Sequence, residues 1–212
     1  VKNPSNKFDS VFIDPGNRTF STFYSPEGFS GSIGDKDISR IFGLLKTHDK
    51  IQSESTKKQE GEPNSLNGGS KIQTSIQTQL AQIRSKVKNL RDEVHWQTIF
   101  FLLKNFKNIF IPKLDTKSMV LKGSRKINKT SLRHMLTWSH GLFMTRLLDK
   151  CREFKDTFVH VVDECYTSKT CGSCGEINES LGSSKGFQCE RDLNGARKIF
   201  IKTVCEGVLN IL

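Results

Sequence analysis

The stretch VFIDPGNRTFSTFY, residues 11–24, decides the fold of this chain. Val11–Ile13 is a short apolar run typical of a buried strand, and Asp14-Pro15-Gly16 ends that run in a turn. Thr19–Tyr24 then alternates between apolar and polar residues, which is the pattern of a strand returning beside the first. The sequence therefore predicts a β-hairpin whose first strand carries an acidic side chain, Asp14, at its end.

Two helices are predicted after the hairpin. The first covers Ile38–Lys50, and the second carries an apolar stripe at intervals of three or four residues from Ile72 to Val94. Between them, residues 53–70 are rich in Ser, Gly, Asn, Lys and Glu without apolar periodicity, which predicts a flexible loop. We therefore expect a helical hairpin inserted over residues 38–105.

Two further strands are predicted in the second half of the chain. Ile109–Ile111 is a short apolar run stopped by Pro112. Phe158–Val162 is a continuous apolar run, typical of a buried strand, and Glu164 follows it closely. Strands that alternate with helices in this way predict an α/β fold with one main core.

Two helices belong to the same half. One is expected to be capped by Thr130 or Ser131 and to run as far as Leu148. The other opens at Asp192. Its predicted buried face consists of Ala196, Ile199, Phe200, Val204 and Val208.

The composition indicates a polyanionic partner. The chain has 212 residues and a formal net charge of +11 at pH 7. Lys and Arg gain binding free energy by displacing counterions from phosphates, so nucleic acid is the expected partner. No run of about 18 apolar residues could span a bilayer, and no secretory signal is recognised, so we expect no membrane partner. Because the chain begins at Val1 and enters a strand almost at once, we also expect it to be a fragment.

Much of the positive charge lies between Lys117 and Lys155, where ten Lys and Arg residues stand against two acids. A solvated surface is the ordinary explanation of such a run. Its length and its place beside the proposed site favour contacts with a nucleic-acid backbone. The candidate nucleic-acid-binding residues are Lys117, Lys122, Arg125, Lys126, Lys129 and Arg133.

Three of the six cysteines have the spacing of a zinc site. Cys171-Gly-Ser-Cys174 lets two thiolates reach one tetrahedral Zn²⁺, and Cys189 follows at a distance that suits a second pair. Asp192 stands where the fourth cysteine is expected, so the set is three thiols with a carboxylate or a water. Two thiols in a metal-free turn are the alternative. The remaining cysteines are predicted to be small buried hydrophobes: Cys151, Cys165 and Cys205.

Three acidic residues could form a second metal site. Phosphodiester cleavage by two divalent ions needs several acids that converge on one point, because oxygen donors suit Mg²⁺. Asp14, Glu164 and Asp192 are distant in sequence but stand at the ends of predicted elements, where they could meet at one edge of a sheet. Taken singly, they have ordinary explanations as a turn residue, a rim acid and a helix N-cap.

Histidine and tryptophan add no further candidate site. The histidines show no ligand spacing and are predicted to be structural or solvated: His48, His95, His134, His140 and His160. Trp96 and Trp138 lie on apolar helix faces and are predicted to fill cores.

Three motifs occur in a specific order: Ile13–Gly16 (IDPG), Tyr166–Gly175 (YTSKTCGSCG) and Arg191–Arg197 (RDLNGAR). Together they resemble the TnpB nucleases of bacterial insertion sequences and their eukaryotic Fanzor relatives. The segments Ile111–Thr116 (IPKLDT) and Thr137–His140 (TWSH) resemble Fanzor in particular. The resemblance extends over nearly the whole chain.

This resemblance implies a domain organisation. It implies an RNase H-like, RuvC-type nuclease core over residues 8–170, with a mixed sheet, flanking helices and the helical insertion. A small zinc-ribbon-like knuckle follows over residues 171–190. Residues 191–212 supply the last helix of the core.

The resemblance also implies a site and partners. Two Mg²⁺ ions would be bound by three acids, with Asp14 as the first and Asp192 as the last. The middle glutamate of bacterial relatives falls near Pro112, so the role passes to Glu164, which stands just before the Tyr-Thr-Ser motif. Zn²⁺ would occupy the knuckle, guide RNA and target DNA would be the partners, and likeness to Fanzor implies a nuclear location.

Two departures from the family pattern bear on activity. Cys189 runs directly into Glu190-Arg191-Asp192, as if a short segment of the knuckle were deleted, and no counterpart of the upstream RNA-gripping modules is present. The expected function is the catalytic part of an RNA-guided DNA endonuclease, incomplete or degenerate. The alternatives are an inactive nucleic-acid-binding remnant and a structural zinc-ribbon interaction module.

Overall fold

The computed structural model describes residues 7–61, 69–113, 128–162 and 191–205, except for the side chains of residues 58–61, 69–72, 191–192 and 205. Its centre is one five-stranded mixed sheet. The strands are β1 (Phe8–Pro15), β2 (Ser21–Ser25), β3 (Phe29–Ile33), β4 (Phe106–Pro112) and β5 (Phe158–Val162). The helices are α1 (Asp37–Gly61), α2 (Gly69–Asn105), α3 (Lys129–Trp138), α4 (His140–Cys151) and α5 (Arg191–Cys205).

The sheet has the order β3-β2-β1-β4-β5. β2 is antiparallel to both β1 and β3, whereas β4 is parallel to β1 and β5 is parallel to β4. An antiparallel meander therefore occupies one side of β1, and two parallel strands occupy the other. The hairpin predicted from residues 11–24 is confirmed, and β3 is a strand that the sequence analysis did not identify.

The core lies on the two central strands, because apolar residues run almost without interruption through β1 and β4. Each of their central side chains is at most 2% exposed: Val11, Phe12, Ile13, Ile109, Phe110 and Ile111. The rings of Phe12 and Phe110 stack with centroids 4.7 Å apart, and α5 places Ile199 against this pair. The buried positions of α5 agree with the predicted face at Ala196 and Ile199.

The chain divides into two compact units. One contains the described residues up to Asp35 and from Trp96 onward, and the other spans Lys36–His95. The second unit comprises α1 and most of α2, and the helix that the apolar stripe predicted is confirmed as α2. α1 extends to Gly61 and α2 begins at Gly69, so the prediction of a loop over residues 53–70 is wrong at both ends. Residues 53–61 are rich in Lys, Gln and Glu, which favour a helix even without apolar periodicity.

The single helix predicted between residues 130 and 148 is two helices. Ser139 adopts the left-handed conformation, with φ 51° and ψ 52°, and separates α3 from α4. The N-cap of α3 is Asn128, whose side chain accepts a hydrogen bond from the Ser131 amide, so the prediction of Thr130 or Ser131 as the cap is wrong. A break at a non-glycine residue has no local sequence signal, because tertiary contacts stabilise it.

Two burial predictions are also corrected. β5 is an edge strand, and Phe158 and Val161 are 58% and 49% exposed rather than buried. Trp96 is 38% exposed, with the Arg146 guanidinium 5.5 Å from its ring centre, so it does not fill the core. Trp138, by contrast, is fully buried as predicted.

Candidate active site

The three parallel strands end at the same edge of the sheet. Phe12 of β1 pairs with Phe110 of β4, and Pro112 of β4 pairs with Val162 of β5. Asp14 lies two residues after Phe12, and Pro112 lies two residues after Phe110. Asp14 is therefore level with Pro112 and Val162 across the three strands. Ligands of α/β proteins bind preferentially outside the carboxyl ends of parallel strands. Asp14 is half-buried at this edge.

Helix α5 passes directly over Asp14 at Gly195. A Cβ added to Gly195 would overlap Asp14 Oδ2 and would stand 2.9 Å from Cγ. A glycine in the middle of a helix is normally unfavourable, and here it makes room for the carboxylate. The sequence signal for this contact is the glycine of the RDLNGAR motif.

Two polar residues of α5 that are close to Gly195 in the sequence are buried. Asn194 is 3% exposed and Lys198 is 6% exposed, on either side of Gly195 along the helix. Asp192 precedes Gly195 by three residues, which puts its backbone one helical turn away on the same face. The burial of Lys198 could not be predicted from the sequence, because a lysine in a basic chain gives no signal of burial.

The turn that follows Asp14 is held by two buried rings. Trp138 Nε1 donates a hydrogen bond to the carbonyl oxygen of Asn17 at 3.1 Å. His140 Nε2 lies 2.9 Å from the carbonyl oxygen of Gly16. Burial lowers the pKa of His140 to about 4, and the hydrogen bond to Gly16 opposes this effect only in part. The ring is therefore neutral near pH 7, and the prediction that His140 is structural agrees with its position.

Most of the other predicted site residues lie outside the described part of the chain: Glu164, Cys171, Cys174, Cys189, Lys117, Lys122, Arg125 and Lys126. The side chain of Asp192 is also outside it, although its backbone is in α5. Lys129 is exposed and Arg133 is half-buried, both on α3. The side chains that the structure does describe contain no group of three His, Cys, Asp or Glu residues suited to a metal ion. The metal-binding and nucleic-acid-binding roles of the predicted residues therefore remain predictions.

Within residues 7–61, 69–113, 128–162 and 191–205, no helix is both long and apolar enough to cross a membrane.

Comparison with known proteins identifies similar sequences. The model of the Cas12f1-like TNB domain matches residues 140–199. A transposase-like protein of Paramecium bursaria Chlorella virus 1 is 30% identical over 200 residues, which are 91% of this chain and 43% of that protein. A TnpB-like protein of Acanthamoeba polyphaga mimivirus is 30% identical over 210 residues, 90% of this chain and 36% of that protein. The chain thus spans less than half the length of these curated relatives.

Solved structures show the same fold at lower identity. A Cas12f1–sgRNA–target DNA complex aligns with a TM-score of 0.54 and 18% identity, covering 91% of this chain and 40% of that one. A CRISPR-Cas12f ternary complex aligns with a TM-score of 0.62 and 21% identity, covering 89% and 38%. The sequence matches, the family model and the fold agree with the motifs found in the sequence. The chain belongs to the TnpB/Cas12f-type family.

Proposed function

We propose that this chain is the catalytic portion of a transposon-associated, RNA-guided DNA endonuclease that hydrolyses phosphodiester bonds with divalent metal ions. The observation that carries this proposal is the contact between Asp14 and Gly195. It brings the carboxylate at the end of the central strand to within one helical turn of the Asp192 position. Family membership supports a nuclease-type function for such a pair of acids.

We further propose that the sheet is the RNase H-like core of a RuvC-type nuclease. Support comes from the mixed topology, in which an acid-bearing central strand has an antiparallel meander on one side and parallel strands on the other. Glu164 follows Val162 by two residues, and Val162 ends the strand next to Pro112. Because β5 ends at the edge where Asp14 lies, we propose that Glu164 contributes its carboxylate to the same site.

The residues at this edge suit Mg²⁺. Asp14 offers a half-buried carboxylate, and Glu164 and Asp192 are the further oxygen donors that we propose. When bound, two such ions would activate a water and stabilise the leaving oxygen of the phosphodiester. The chain itself holds Asp14 between the sheet and α5, and Lys198 supplies positive charge on the same helix face.

Zn²⁺ is proposed as a structural ion of the knuckle. Cys171, Cys174 and Cys189 would bind it, with Asp192 or a water as the fourth ligand. Asp192 has been named as a candidate ligand of both Mg²⁺ and Zn²⁺. Its position on α5, one helical turn before Gly195, favours the Mg²⁺ site. A water is then the preferred fourth ligand of zinc.

Guide RNA and a DNA target are the proposed partners. The structurally similar Cas12f1 was solved with sgRNA and target DNA. The net charge of +11 and the candidate basic residues from Lys117 to Arg133 suit the phosphate backbone of either strand. Sequence would be read by base pairing with the guide rather than by side chains. A nuclear location rests on the likeness to Fanzor and can be tested by imaging the tagged chain.

The first test is cleavage of labelled single-stranded DNA in Mg²⁺ and in EDTA, with direct measurement of Mn²⁺ binding by electron paramagnetic resonance. Asp14→Ala, Glu164→Ala and Asp192→Ala are compared with Asp149→Ala, which removes an exposed acid paired with Arg152. We expect Mg²⁺-dependent cleavage that the first three variants lose and the last retains. Unchanged Mn²⁺ binding in all three site variants would contradict the proposed site.

One observation favours a second function, that of a non-catalytic nucleic-acid-binding remnant. Lys198 is buried on the same face of α5 as Gly195. If its ammonium lies near Asp14, which contacts Gly195 three residues earlier on the helix, it would compete electrostatically with divalent cations for the carboxylate. DNA binding without cleavage and without Asp14-dependent Mn²⁺ binding would identify this function.

A further inference from the structure

The segment between α3 and α4 lies far from Asp14 in sequence but contacts the turn that follows it. Trp138 ends α3, His140 begins α4, and the two side chains reach the carbonyl oxygens of consecutive residues, Asn17 and Gly16. We call Trp138, Ser139 and His140 the helix corner. Both rings are almost completely buried, at 0% and 5% exposure.

Ser139 gives the helix corner its shape. It is the only described residue other than glycine with a positive φ. Its amide donates to Met135 O at 3.2 Å, and its carbonyl accepts from the Phe143 amide at 3.1 Å, so α3 ends and α4 begins at this one residue. Left-handed backbone at a non-glycine residue persists where the surroundings enforce it, and such residues cluster at functional sites. The result is that Trp138 and His140 both point into the protein.

Phe20 fixes the helix corner to the sheet. Its ring stacks on His140 with centroids 5.1 Å apart at 15°, lies 5.1 Å from Trp138, and meets Phe143 edge-on at 4.9 Å. A Cβ at Gly34 would stand 2.7 Å from Phe20 Cβ, so this neighbour must also be small. Phe20 immediately precedes β2, and its carbonyl accepts a hydrogen bond from the Gly16 amide at 3.1 Å.

The turn is thus constrained at several atoms. Gly16 is bonded through its amide to Phe20 and through its carbonyl to His140. A carbonyl oxygen only accepts, so His140 Nε2 must carry the proton of the neutral ring. His140 Nδ1 is buried and finds no hydrogen-bond partner among the described groups, which agrees with an unprotonated nitrogen there.

We infer that Trp138 and His140 are positioning residues for Asp14: by holding the Gly16 and Asn17 carbonyls, they fix the turn that orients its carboxylate beside Gly195. The inference rests on the proposed function, in which Asp14 binds a divalent ion. Groups that orient a metal ligand through a hydrogen bond raise metal affinity because they remove the unproductive orientations of that ligand. Neither ring is expected to contact the ion or the substrate.

The test uses substitutions that separate the hydrogen bond from the packing. His140→Phe and Trp138→Phe keep an aromatic ring against Phe20 and remove the donor, whereas His140→Gln keeps an N–H donor near the position of Nε2. Ile109→Val is the matched control, since it weakens the fully buried core of β4 without touching the turn. Asp14→Asn reports whether the ion site exists.

The readout is the Mn²⁺ dissociation constant of the full chain, measured by electron paramagnetic resonance. We expect His140→Phe combined with Trp138→Phe to raise this constant about tenfold or more, the range found for groups that orient metal ligands. His140→Gln and Ile109→Val should stay within about threefold, because the donor or the turn is intact. A double Phe variant that binds Mn²⁺ like Ile109→Val, while Asp14→Asn loses binding, overturns the inference and leaves the proposed function standing.

A second measurement does not depend on the ion. Amide hydrogen exchange of the metal-free chain should be faster over residues 14–20 in the double Phe variant than in Ile109→Val, since the turn opens more readily. Equal exchange in the two variants would show that the helix corner does not hold the turn. If Asp14→Asn binds Mn²⁺ like the parent chain, the proposed ion site is wrong, and the positioning role falls with it.

Discussion

The carboxylate of Asp14 lies against the backbone of Gly195, on a helix that begins only at Arg191 in the last part of the chain. No side chain separates the two. The central strand and the last helix are therefore in direct contact at the residue proposed for chemistry. Substitutions at this contact and at the turn beside it should have measurable effects on stability and on ion binding.

Gly195→Ala is expected to destabilise the protein, although Gly→Ala inside a helix normally stabilises by about 0.5–1 kcal/mol. The new Cβ would overlap Asp14 Oδ2, and the strain of such overpacking is about 1–3 kcal/mol. Urea denaturation measures the change. Gly43→Ala in α1 is the control, because no atom lies within 4 Å of its added Cβ. If the Asp14 contact is responsible, an Asp14→Ala background will remove the destabilisation.

Asp14 and Lys198 are expected to be energetically coupled. Lys198 is buried three residues beyond Gly195, which lies against the Asp14 carboxylate, and opposite charges attract more strongly where water is excluded. A double-mutant cycle of Asp14→Asn and Lys198→Met in metal-free buffer should give a coupling of about 0.5–3 kcal/mol. Asp14→Asn with Arg197→Met serves as the control, since Arg197 is exposed and lies over the Tyr24 ring. Additivity in both cycles would exclude the coupling.

The helix corner should make stability depend on pH. Burial lowers the pKa of His140 to about 4, whereas in the unfolded chain it has its ordinary value of 6.5. Between these values the unfolded state binds one proton more, so the free energy of unfolding falls by about 1.4 kcal/mol for each unit that the pH falls. Below about pH 4 the ring is protonated in both states, and the stability that the neutral ring contributes is fully lost. The free energy of unfolding is measured by urea denaturation between pH 7.5 and 4.5. It should depend less steeply on pH in His140→Gln than in the parent chain, and an equal dependence would contradict a buried, neutral His140.

Asn128→Ala should lower the free energy of unfolding by about 1 kcal/mol. Its side chain accepts the Ser131 amide at 2.7 Å and caps α3, and alanine leaves that amide unsatisfied. Asn128→Ser restores a capping oxygen and should recover most of the loss. Thr130→Ala, at the exposed position that the sequence favoured as the cap, should change stability by less than about 0.5 kcal/mol. A larger loss at Thr130 than at Asn128 would place the cap there.

The candidate basic residues between Lys117 and Arg133 should determine the salt dependence of DNA binding. Replacing the four of them ahead of α3 by Gln should reduce the slope of log K against log salt by about 0.7 for each single-strand phosphate that is no longer neutralised. These residues are Lys117, Lys122, Arg125 and Lys126. The control removes the same charge from exposed lysines at α1, namely Lys36, Lys46, Lys50 and Lys57. Equal slopes for the two sets would mean that net charge alone attracts the nucleic acid.

The local sequence pattern predicted the structure correctly where apolar residues had to be buried. The run Val11–Ile13 has to be buried on both faces, and Asp14 has to leave it, so the strand and the position of its acid were predictable. The stripe from Ile72 to Val94 likewise required a helix. Where no apolar pattern existed, as in residues 53–61, the prediction of a loop failed because polar helix formers favour a helix on their own.

The sequence by itself determined the hairpin, four of the five strands in their order, the family motifs and the three acids proposed for chemistry, because spacing and residue type are local properties. Only the tertiary structure decided which residues surround Asp14. The fit of its carboxylate against Gly195 and the hydrogen bonds from Trp138 and His140 all join segments more than 100 residues apart. Contacts of this kind depend on how the helices pack on the sheet, and no periodicity within one segment encodes that packing.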